Sequence, residues 1–163
     1  MYTLEESMTR KWLLLLAAIL PLSALGLSVE QVYVRGLPPT QKNTAAFFTL
    51  VNPGDAPLTL RAGSSRAAER LEIHSHGQHN GMAAMRRQDS VTVAAGEQLV
   101  FKPGGYHLML INLTAPLRDG ERVQFSLIDD SGAEYEIDAP VRSVLKEAPM
   151  NGHDEHHGHG EHH

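Results

Sequence analysis

Between residues 29 and 145 no stretch repeats its apolar side chains at the helical spacing of about 3.6 residues over a helical length. Short apolar or alternating runs take its place: 29–36, 45–52, 58–63, 69–76, 82–87, 90–95, 98–102, 107–113, 122–129 and 133–141. Turn-forming residues separate several of them, as in Asn52-Pro53-Gly54-Asp55, Lys102-Pro103-Gly104-Gly105 and Asp129-Asp130-Ser131-Gly132. Many short strands at such intervals predict an all-β domain, a β-sandwich or a barrel-like variant of one. Its expected inward side chains are Phe47, Phe48, Leu50, Leu71, Ile73, Val100, Phe101, Leu108, Leu110, Val123, Phe125 and Leu127.

Both ends differ from this middle. Residues 1–26 have the layout of a secretory signal peptide, with Arg10-Lys11, an apolar run from Trp12 to Leu20 and small residues at Ala24-x-Gly26. The run is shorter than the roughly 20 apolar residues of a spanning helix. Glu5 and Glu6 sit badly in a basic leader, which would be cleaner with translation starting at Met8. The expected location is the periplasm, with no stable membrane insertion once the signal is removed; a retained N-terminal anchor is the alternative. Residues 27–146 form the expected domain. Residues 147–163 hold six of the ten histidines, His153, His156, His157, His159, His162 and His163, among Gly, Asp and Glu, with Met150 just ahead. Such a segment has nothing to build a core and is expected to be a disordered His-rich tail.

Charge and cysteine usage narrow the function. A formal charge of -5 without a basic stripe argues against nucleic acid as a partner. With no Cys there is neither a disulfide framework nor the thiolate that a blue-copper electron-transfer site requires. Pro103-Gly104-Gly105 is turn chemistry, with no Lys-Ser/Thr after it to hold a phosphate. Ser75 beside His74 and His76 lacks a nucleophile's setting, and Glu72 near His74 is a pair of a kind common on surfaces. An enzyme is not expected.

Histidine and methionine carry the remaining signal. In ERLEIHSH, alternation puts Leu71 and Ile73 on one face and Glu72, His74 and His76 on the other. Taken alone, His74 reads as well as a surface histidine, and Met85 as well as a core residue. In HLMLINL, His107 and Met109 share a face, backed by Leu108 and Leu110. Thioether sulfur is neutral and soft, poorly suited to Mg²⁺ or Ca²⁺ and well matched to Cu(I), and imidazole binds copper in either oxidation state. Two of each would favour Cu(I) with no thiol exposed outside the cytoplasm. His76, His79 and Met82 are possible auxiliaries: the histidines as local competitors for Cu(II), Met82 as an alternate thioether or an apolar lid.

Ten residues separate His74 from Met85, twenty-one separate Met85 from His107, and one separates His107 from Met109. That H-x10-M-x21-H-x-M spacing, with VRGLPPTQKNTAAFFTLVN, AERLEIHSH and FKPGGYHLMLINL, resembles the PCu(A)C family of periplasmic copper chaperones over about residues 29–143. The resemblance implies a cupredoxin-like Greek-key β-sandwich with His74, Met85, His107 and Met109 as Cu(I) ligands. It also implies a copper acceptor protein, such as a cytochrome c oxidase subunit or another assembly chaperone. The family often has a further Met close after the first His, where this chain has Ser75 and His76. The tail suits Cu(II) capture. The alternative function is a periplasmic buffer or scavenger of zinc and copper dominated by that tail.

Overall fold

The computed structural model describes residues 26–79 and 82–144, so the expected leader and the tail histidines, with Met150, lie outside the described residues. Ten strands follow in order: β1 (Ser28–Gly36), β2 (Thr44–Val51), β3 (Leu58–Ser65), β4 (Ala68–His79), β5 (Met82–Gln88), β6 (Val91–Val93), β7 (Gln98–Phe101), β8 (Tyr106–Leu113), β9 (Arg122–Asp129) and β10 (Glu134–Ser143). Each coincides with a run read from the sequence. The order across the sheet is β5-β4-β8-β7-β2-β1-β10-β9-β3-β6, with β8 also pairing β2. All neighbours are antiparallel except β1 with β10 and β7 with β8. The sheet curls on itself as a near-barrel, and β10 pairs with both β1 and β9 to join its two halves.

The enclosed core is built by alternation. Leu71 and Ile73 of β4, Leu108 and Leu110 of β8, and Val123, Phe125 and Leu127 of β9 all point inward and are buried. Phe48 stacks on Phe101 at 4.4 Å between ring centroids and meets Phe125 at 5.8 Å. Two expectations fail, at Val100 and at Phe47: Val100 is 40% exposed. Val100 and Phe101 are neighbours on β7 and face opposite ways, and Phe101 takes the inward place. Phe47 is buried, but on the outer face, where Tyr33 lies 5.3 Å away and the Arg35 guanidinium covers its ring at 4.9 Å.

The turns read from the sequence are stabilised by their own polar groups. Asn52 is buried, donates to the carbonyls of Ala56 and Val93, and accepts from the Gly54 N–H. Asp129 accepts from Ser131, Ala133 and Tyr135, which holds its carboxyl below the usual range, the Ser131 bond foremost. In the turn before β8, Gly104 takes a φ of 78°, open to glycine without strain, and the Gly105 N–H closes onto the Lys102 carbonyl at 2.9 Å. This last turn positions the site.

Candidate metal centre

The antiparallel registers of β5, β4 and β8 decide which outward side chains meet. His74 of β4 stands directly opposite His107 of β8, and Glu72 opposite Met109. On the other flank His76 faces Met85, and His74 faces Arg87. Directly opposed residues share a face, and diagonal neighbours lie roughly 7–8 Å apart. His74 is therefore the hub: it opposes His107 and is diagonal to Met85 on one side and to Met109 on the other. The two methionines are not neighbours of each other, because β4 runs between them. A cation shared by both has to sit beside His74, on the strand between them.

The imidazoles are packed together. Ring centroids of His74 and His107 are 5.8 Å apart, and those of His76 and His107 are 5.4 Å apart. Phe47 closes the far side of His107 at 6.5 Å. His107 is consequently only 4% exposed although it belongs to the outer face. Burial pushes its pKa below the ordinary histidine value, opposed by its bond to Gly105 and aided by the nearby His74, His76 and Arg35 charges. A neutral ring is the form that can donate to a metal.

Each of the two rings has one nitrogen engaged. A carbonyl only accepts, so His107 donates Nδ1–H to the Gly105 oxygen at 3.0 Å, which leaves Nε2 as its lone-pair nitrogen. The same oxygen accepts the His76 backbone N–H at 3.1 Å, so the glycine turn ties β4 and β8 together at the site. His74 Nε2 lies 2.8 Å from Glu72 Oε2, with both side chains largely buried. His74 Nδ1 is buried and has no hydrogen-bond partner. The His74 bond, foremost, with help from Arg70 and Arg87, holds the Glu72 carboxyl below its usual pKa against the effect of burial.

Exposure grades across the site. Met109 is half-buried beside Glu72, whereas Met85 is 50% exposed near the tip of the β4–β5 hairpin. Met82 is 71% exposed and, by alternation, stands on the opposite face of β5 from Met85, away from His74, His76 and His107. His79 pairs with Met82 at the last rung of the hairpin. Among the described residues no three His, Asp or Glu side chains are placed to hold one ion together. The donor set that the face does offer is two imidazole nitrogens with thioethers beside them, which fits a soft monovalent cation. Glu72 and the Gly105 carbonyl carried no ligand signal in the sequence; the i, i+2 spacing of Glu72 and His74 on one strand face was the available clue.

The fold is all-β and near-barrel, cupredoxin-like, and similar to that of PCuAC domains. The chain belongs to the family described as "Putative lipoprotein LpqE-like", whose model matches residues 27–141. The Cu(I) form of DR1885 from Deinococcus radiodurans is 29% identical, with a TM-score of 0.58 over 79% of this chain and 83% of that one. The copper-bound PCuAC domain of PmoF2 shares the fold, with a TM-score of 0.61 at 20% identity over 74% of this chain and 96% of that one. A relative from Leifsonia xyli subsp. xyli, also named as a lipoprotein, is 33% identical over 61% of this chain and 60% of its own length. A Rickettsia prowazekii protein is 29% identical over 61% of this chain and 55% of its own. The chain thus spans less than two thirds of the length of these two relatives.

Proposed function

We propose that this protein is an exported copper carrier, not a catalyst, and that it holds Cu(I) through His74, Met85, His107 and Met109 and delivers it to a copper-enzyme assembly pathway. The observation that carries the reading is the opposed His74–His107 pair, each ring with one nitrogen tied to the protein and the lone pair on the other, beside Met85 and Met109 in the strand registers. Cu(I) is the cargo. The buried imidazole anchors it, and the half-exposed Met85 is the ligand an acceptor reaches first. Exchange then begins at the hairpin tip and ends at His107.

The acceptor suggested by the resemblance to the PCu(A)C chaperones is a cytochrome c oxidase subunit or another assembly chaperone. Export is supported by the signal-like residues 1–26 and by the lipoprotein description of the family. The histidines of residues 147–163 would gather Cu(II), raising the local metal concentration near the domain. Nothing in the ligand set reduces Cu(II), so a separate reductant supplies the electron.

The test is competitive Cu(I) titration of the full chain against a chromophoric chelator, paired with X-ray absorption of the loaded protein. Sulfur and nitrogen scatterers around one copper are expected. A copper environment of nitrogen and oxygen alone would leave the tail as the binding element and defeat the proposal.

A further inference from the structure

Resting on that copper reading, we infer that Glu72 is a positioning residue: it fixes the tautomer of His74, so that His74 offers Nδ1, and His107 Nε2, to the same cation. At neutral pH a carboxylate only accepts hydrogen bonds, so the 2.8 Å contact to Glu72 Oε2 places the ring proton on His74 Nε2. The lone pair is then on Nδ1. Among the described residues that nitrogen is the one buried side-chain N or O atom without a hydrogen-bond partner. Burying an unsatisfied acceptor is unfavourable, and such atoms in folded proteins call for an explanation; a ligand is one.

The carboxylate is itself held. Its other oxygen, Oε1, takes Arg70 Nε at 3.1 Å and lies 3.5 Å from Arg87 Nη1. The two arginines are more than half exposed, whereas the Glu72 side chain is only 14% exposed. Glu72 is thus braced from the solvent side and aimed at the ring from within. Arg87 stands opposite His74 on the strand that carries Met85, so the same carboxylate links the strand of the first histidine to that of the first methionine. His107 reaches the complementary state by another device, the Gly105 carbonyl on its Nδ1. One ring therefore binds through each type of nitrogen, because one is oriented from its own strand and the other from a turn. An outer hydrogen-bond partner that orients a metal-binding histidine generally changes affinity by 10–100-fold when lost.

The experiment uses the full chain, first without metal. Long-range ¹H–¹⁵N correlation should show His74 protonated at Nε2 and bare at Nδ1. In Glu72→Gln the amide oxygen can still accept, so the tautomer should persist. In Glu72→Ala the ring should populate both tautomers, and Cu(I) affinity by chelator competition should fall roughly 10–100-fold, with a smaller loss in Glu72→Gln. Finding Nδ1 protonated in the unaltered chain overturns the inference. So does an unchanged tautomer and unchanged Cu(I) affinity in Glu72→Ala. Failure of the copper reading has a separate signature: the unaltered chain would take up no Cu(I), whatever tautomer its metal-free spectrum shows.

Discussion

His74 and His107 face each other across adjacent antiparallel strands, with ring centroids 5.8 Å apart and one nitrogen of each already bonded to the protein. Thirty-two residues lie between them in the chain. Pairing of β4 with β8 removes that separation, and the core side chains Ile73 and Leu108 fix the rung on which the two rings meet. A slip of one residue in either strand would turn that strand's histidine inward, away from the other, so the register that builds the core also builds the site.

Met109→Leu keeps most of the side-chain volume and removes only the sulfur. Cu(I) affinity should fall by tenfold or more, about 1.4 kcal/mol or greater, while Zn(II) affinity changes little. Met85→Leu should also weaken Cu(I), and because Met85 is half exposed it should speed release to a chelator most. Stopped-flow transfer kinetics alongside equilibrium titration separates the two effects.

Removal of residues 147–163 should leave the Cu(I) stoichiometry of the domain unchanged and abolish additional Cu(II) binding. Isothermal titration with each ion checks this. Loss of all Cu(I) binding on truncation would mean that the division between folded site and tail is wrong.

The metal-free protein should lose stability as pH falls through the histidine range. His107 has a folded pKa below its unfolded value of about 6.5, so the unfolded chain takes up more protons just below that pH. Its contribution is therefore complete above about 6.5 and declines as pH falls toward the folded value. Glu72, with a lowered carboxyl pKa, adds a second loss at lower pH, complete only once pH has passed below its folded value. Denaturant midpoints measured from pH 7.5 to 5 should show a downward slope that His107→Gln flattens.

Gly63 has no room for a side chain. A Cβ there would come within 2.9 Å of the Ser126 carbonyl oxygen and closer still to its hydroxyl, which also accepts the Ser64 N–H. Gly63→Ala should cost about 1–3 kcal/mol through overpacking. Phe48→Ala, which removes a ring stacked on Phe101 and in contact with Phe125, should cost about 3–5 kcal/mol. Thermal or urea unfolding reads both, and neither change touches the metal face.

The strands and their turns were legible in the linear chain because alternation and turn chemistry are local: Leu71 and Ile73 point one way and His74 the other whatever lies beside them. The spacing of His74, Met85, His107 and Met109, and the preference of their donor atoms for a soft ion, were legible for the same reason. Tertiary structure alone decided that His74 opposes His107, that Met85 and Met109 flank His74 from two different strands, and that Phe47 seals the outer side of the site while Val100 stays in solvent. It also turned Glu72 from an ordinary surface acid into the partner of a buried ring. These outcomes depend on strand neighbours and register, which are set by burial summed over distant segments and cannot be read from any one of them.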